Sequence, residues 1–128
     1  MIIKAALRPA ILSIPLVLLT TLPGAARASL SSFDGSWSVV VVTDAGSCER
    51  SSRYGVRITG GRVVYDGGSG IALSGQVNGA GRVVVSLRSS ESAANGSGRL
   101  SGSSGSGHWQ GVSGNSRCTG RWQAQRGG

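Results

Sequence analysis

Tyr54-Gly55-Val56-Arg57-Ile58-Thr59-Gly60-Gly61-Arg62-Val63-Val64-Tyr65 is the stretch that decides the fold. Before the paired glycines, Tyr54, Val56 and Ile58 alternate with Gly55, Arg57 and Thr59, which is the period of a half-buried strand. Gly60-Gly61 suits a two-residue turn, because both central positions of such a turn need positive φ. A turn there pairs Thr59 with Arg62, Ile58 with Val63 and Val56 with Tyr65. Apolar then meets apolar and polar meets polar. A slip of one residue would turn every side chain to the wrong face, so the register checks itself.

The same reading extends in both directions. Ile71, Leu73 and Val77 alternate with polar or small residues. Val83, Val85 and Leu87 do the same against Arg82, Ser86 and Arg88. Asn78-Gly79-Ala80 is expected to make a three-residue turn that sets Gln76 opposite Arg82 and Leu73 opposite Val85. Further breaks fall near 44–48, 66–69, 89–93, 103–104 and 113–115. They divide the chain into about eight strands, spaced as in a barrel or sandwich. The chain holds 22 glycines and is rich in serine, a composition that on its own reads as flexible linker. Alternation overrides that reading, and no stretch beyond residue 28 carries helical periodicity. The expectation is an all-β, small antiparallel meander β-barrel; a β-sandwich is the alternative.

The last third is a weak repeat. Gly96-Ser97-Gly98-Arg99-Leu100-Ser101-Gly102 is echoed by Gly105-Ser106-Gly107-His108-Trp109-Gln110-Gly111 and by Cys118-Thr119-Gly120-Arg121-Trp122. Every second residue is Gly, Leu, Trp or Cys. Glycine on the inner face of a strand leaves room for a bulky neighbour to cross, and Trp109 and Trp122 are placed to use it. Phe33-Asp34-Gly35-Ser36-Trp37 opens the first strand as Cys118 to Trp122 opens the last. In a meander of even strand number, first and last strands run antiparallel. Cys48 after the first strand then neighbours Cys118 at the start of the last. A disulfide between them would staple the closing seam, removing two exposed edges and roughly 4 kcal/mol of unfolded-chain entropy. Trp37, Tyr54, Tyr65, Trp109 and Trp122 are expected on the inner face as structural core, leaving the interior filled.

Residues 1–28 read as a secretory signal peptide. Lys4 and Arg8 supply the basic start, an apolar run follows from Ala10 to Leu22, and Ala26-Arg27-Ala28 is a small-x-small cleavage pattern. The run is shorter than the roughly 20 residues of a membrane span, so none is expected in the mature chain. Cleavage after Ala28 leaves 29–128 as one secreted or periplasmic barrel domain, expected to be monomeric. Of 13 Lys and Arg, Lys4, Arg8 and Arg27 fall in the leader, leaving ten arginines against five acids and a net charge of +5. The arginines are scattered and form no run, which reads as solubility before it reads as a polyanion site.

Catalytic chemistry finds little footing. A single histidine excludes a site built from several imidazoles, and His108, between Gly107 and Trp109, is expected to point outward. All five acids, including Asp34, lie in or beside expected turns, so no carboxylate pair is expected. Gly-Ser-Gly runs lack the following helix that a phosphate loop needs. No catalytic residue, cofactor or metal is expected. The aromatics, consumed as core, leave no stacking platform for specific nucleic acid.

The order of these motifs, from Phe33-Asp34-Gly35-Ser36-Trp37 through Cys48, Gly61 to Tyr65, Gly96 to Gly102 and Gly105 to Trp109 to Cys118-Thr119-Gly120-Arg121-Trp122, resembles a family of short exported proteins from Gram-negative alphaproteobacteria. Some of those are linked to haem utilisation or adhesion. The resemblance covers nearly the whole mature chain and implies export. The Gly35-Ser36-Trp37 opening is also similar to that of lipocalins, avidins and periplasmic metalloprotease inhibitors, which implies an eight-stranded barrel. No ligand-binding residue carries over from them. The function expected is therefore binding or structural, through loops such as 44–53 at one barrel end, with an envelope protein or an anionic glycan as partner. A protease-inhibitor-like module, or an exoprotein of haem utilisation or adhesion, is the alternative.

Overall fold

A computed structural model describes residues 32–127, so the expected leader lies outside the described residues. Eight strands follow in chain order: β1 (Gly35–Ala45), β2 (Ser51–Thr59), β3 (Arg62–Tyr65), β4 (Ala72–Val77), β5 (Arg82–Arg88), β6 (Ser92–Ser101), β7 (Ser104–Ser113) and β8 (Ser116–Arg126). Each pairs antiparallel with the next, and β8 returns to pair with β1. The result is a closed meander barrel, not a sandwich, and closure leaves no free edge to recruit another chain.

The β2–β3 hairpin has the expected register, with Thr59 opposite Arg62 and Val56 opposite Tyr65. Gly60 and Gly61 stand at φ 58° and 83° in its turn. The β4–β5 hairpin corrects the expectation. Gln76 lies opposite Val84 and Leu73 opposite Leu87, not opposite Arg82 and Val85. Asn78 is the reason. Its backbone N–H donates to the Arg82 carbonyl, and its side-chain Oδ1 accepts from the amides of Ala80 and Arg82, each at 2.9 Å. Asn78 thus belongs to the ladder, and the loop proper is 79–81. The shift is even, so inner and outer faces are preserved.

Cys48 and Cys118 form the disulfide at the β1–β8 seam, with their Cα atoms 6.2 Å apart. β1 carries a register shift between Thr43 and Ala45, where the chain leaves β8 to reach the bridge. Gly46 makes that passage: its φ is 101°, and a Cβ there would lie 2.4 Å from the Arg117 carbonyl and 2.6 Å from Cys118 Sγ.

The core is not centred. Phe33, Trp37, Val56, Ile58, Val63, Val77, Val83, Leu100, Trp122 and Ala124 form one buried cluster. All lie toward the barrel end that carries the β2–β3, β4–β5 and β6–β7 turns and both termini of the barrel. Val39, Val41, Leu73, Val85 and Trp109 continue it upward, half-buried.

Candidate functional site

The two barrel ends differ in how they are filled. At the core end the segment before β1 folds across the opening and inserts Phe33. The Trp37 indole N–H donates to the Phe33 carbonyl at 2.8 Å. Arg126, the last inward position of β8, lies with its guanidinium carbon 5.1 Å from the Trp37 ring centre. It donates to the carbonyls of Ser32 (3.0 Å), Asp34 (2.9 Å) and Gly102 (2.9 Å). Asp34 Oδ1 accepts from the Gly60 amide at 2.9 Å. This end is closed by side chains and clamped by one arginine.

The other end is open. A cavity of about 310 Å³ runs down the barrel from this end to a floor formed by Trp37, Ile58, Val63, Leu100 and Ala124 of the core cluster. Deep in it the lining is apolar: Val39, Val41, Leu73, Val85, Trp109 and Trp122. Higher up, Thr43, Glu49, Ser52, Ser92 and Ser113 ring its mouth together with Cys48 of the disulfide. Thr43 Oγ1 donates to the Glu49 carbonyl at 2.6 Å and Ser92 Oγ to Ser113 Oγ at 3.0 Å, so several mouth hydroxyls are spent on holding the rim. Among the described residues that line the cavity, Glu49 alone carries a formal charge.

This cavity corrects the expectation of a filled interior, and the tryptophans explain it. Trp122 lies on Gly107 and Gly98, with its indole N–H donating to the Ser97 carbonyl at 3.2 Å. A Cβ on Gly107 would come within 2.7 Å of that ring and 2.0 Å of the Ser97 carbonyl. Trp109 lies over Gly120 in the same way and donates to the Val42 carbonyl at 3.0 Å. Both indoles are therefore inlaid in the wall over glycine backbone, with their N–H groups satisfied there. They thicken the wall and do not plug the lumen. Above them the inward row reads Leu87, Ala94, Gly111 and Cys118, side chains too small to meet in the middle.

Of the expected core aromatics, Trp37 and Trp122 are buried, while Trp109, Tyr54 and Tyr65 are half-buried. Tyr54 and Tyr65 meet edge to face at 6.4 Å between ring centres beside the cavity. His108 is exposed on the outer wall and Asp34 sits at the closed end, so the fold does not bring the two together. Among the described residues no group of three or more His, Cys, Asp or Glu is placed to hold a metal ion. Loop 46–50, within the expected binding stretch 44–53, does border the mouth. Sequence reading missed Phe33 and Arg126, although parity along β8 from Trp122 and Ala124 puts residue 126 on the inner face. It also missed the mouth ring of hydroxyls, whose signal was small polar residues at inward positions of the strand ends.

Compared with protein-family models, curated proteins and solved structures, the chain matches none.

Proposed function

We propose that this chain is an exported binding protein that holds a small, uncharged, mostly apolar molecule in the open half of its barrel, without catalysing a reaction on it. The observation that carries the reading is the one-ended apolar cavity of about 310 Å³. Ligand sites begin at roughly 300 Å³, and an apolar cavity of roughly 150 Å³ accepts benzene. The space thus suits about ten to twelve non-hydrogen atoms, such as two fused rings or a medium alkyl chain. Charge in the ligand's buried part is disfavoured, because among the described residues no cation lines the cavity to offset its lost hydration. A disulfide at the mouth fits an oxidising compartment outside the cytoplasm, which supports the export reading of residues 1–28.

The test is a titration with 1-aminonaphthalene, whose emission rises on entering an apolar site. Saturable enhancement is expected for the native protein. Val85→Phe projects a ring into the lumen and should abolish the enhancement while leaving the near-ultraviolet circular dichroism of the tryptophans intact. Val41→Phe is the second filling variant if the first disturbs the fold. No enhancement with native protein, or undiminished enhancement in both variants, sinks the reading.

A further inference from the structure

The scattered arginines of the sequence are gathered by the fold. Following the residues that face one another across neighbouring strands, Arg82 of β5 stands opposite Arg99 of β6, Arg99 opposite Ser106 of β7 and Ser106 opposite Gln123 of β8. Gln123 stands opposite Val40 of β1, and Val40 opposite Arg53 of β2. The row is outward throughout, and Arg53, Arg82, Arg99, Ser106 and Gln123 are exposed. A shallow depression of about 390 Å³ lies along it, lined by Ser38, Val40, Arg53, Ser104, Ser106 and Gln123. Arg53 borders it on β2, while Arg99 and Arg82 stand beyond Ser106 on β6 and β5, where the closed wall curves away from Arg53.

Two features of this wall point to a ligand. Arg82 and Arg99 are directly opposed like charges, an arrangement that costs stability, and among the described residues neither has an ion-pair partner. No acidic residue occurs anywhere in β5, β6, β7 or β8. An anion seated between the guanidiniums would convert the repulsion into paired, charge-assisted hydrogen bonds. Beside the arginines the wall offers hydroxyl and amide groups that both donate and accept, as sugar hydroxyls require. No Trp, Tyr or Phe projects from it, so it lacks the stacking platform that single-stranded nucleic acid uses.

We propose that the outer face of β5 to β8 along Arg82, Arg99, Ser106 and Gln123 binds an acidic polysaccharide, its sulfate or carboxylate groups on the paired arginines and its hydroxyls on the polar side chains beside them. The site faces away from the cavity and is independent of it.

Heparin fragments serve as the sulfated probe, with neutral dextran and a DNA duplex as comparators. Binding to heparin should weaken with salt, and R82Q/R99Q should lower affinity roughly tenfold and flatten the salt dependence. R50Q/R53Q removes the same charge elsewhere and should change affinity less than about twofold. Near-ultraviolet circular dichroism identical to native confirms that either variant is folded. Equal losses in the two double variants would mean bulk charge only. Equal affinity for duplex DNA, or no heparin binding at low salt, would likewise overturn the site.

Discussion

The two ends of this barrel are built from the same strands and hold opposite contents. At the closed end, branched side chains from β2 to β5 meet Phe33, Trp37, Leu100 and Ala124, and Arg126 clamps the incoming chain over them. At the open end the inward positions are Ser52, Ala94, Gly111 and Ser113, and the centre is empty. The difference teaches that closing a barrel does not decide whether it is solid. Side-chain volume at each level decides, and in this chain the large residues are spent at one level.

The sharpest way to break that contrast is to truncate one large side chain at each end. Trp37→Ala should lower unfolding free energy by about 3–5 kcal/mol, because it removes a fully packed indole and leaves a void beneath Phe33 and Arg126. Leu87→Ala should cost less than about 2 kcal/mol, since that side chain already borders open space and loses few contacts. Chemical denaturation of the two variants measures both values. Equal losses would mean that the open end is packed in solution and that the cavity closes there.

Much of this contrast was hidden in the sequence, while the frame around it was legible. The β2–β3 register could be read because both strands, their turn and their alternating faces lie within twelve consecutive residues. The seam could be read because Cys48 and Cys118 mark it at a distance. The β4–β5 register was missed by two residues because Asn78 uses its side chain as a ladder and turn acceptor, a choice that depends on the loop already being closed. The cavity was missed because inward aromatics were equated with a filled interior. Whether an indole plugs a lumen or lies in its wall depends on which neighbouring strand presents glycine at the crossing, as Gly107 and Gly120 do here. Arg126 escaped notice because its partners at 32, 34 and 102 become neighbours only when the barrel closes.

A middle-sized effect tests the clamp itself. Arg126→Gln keeps a polar side chain but loses the forked donors and the charge over the Trp37 ring, and about 1–2 kcal/mol of stability should go with them. Amide exchange should quicken at Gly60 and in the first residues of β1. 1-Aminonaphthalene binding at the open end should stay within about twofold of native, because the clamp acts below the cavity floor. Loss of ligand binding in step with loss of the clamp would show that the two ends are coupled.

The smallest expected effect separates the ends by pH. Near the open rim, Arg121 grips the Asp44 carboxylate with two hydrogen bonds of 2.8 Å each, both partners exposed on the outer wall. Those bonds, opposed by slight desolvation and aided by the arginine's charge and more weakly by His108, hold the Asp44 carboxyl below its ordinary range. A carboxyl whose folded value is depressed adds stability above its unfolded value, about 3.9 for aspartate, and loses it as pH falls through the folded value. Native protein and Asp44→Asn should therefore differ by a small constant amount from pH 5 to pH 8, and the gap should close below about pH 4. High salt should shrink it, since both groups face solvent. The Arg126 clamp is held by backbone carbonyls, which do not titrate, so the gap between native and Arg126→Gln should stay flat over the same range. Thermal melts across pH for both variants read this out. A clamp gap that closed in acid alongside that of Asp44 would mean that Arg126 relies on a carboxylate, and the contrast between a titrating rim and a non-titrating floor would fail.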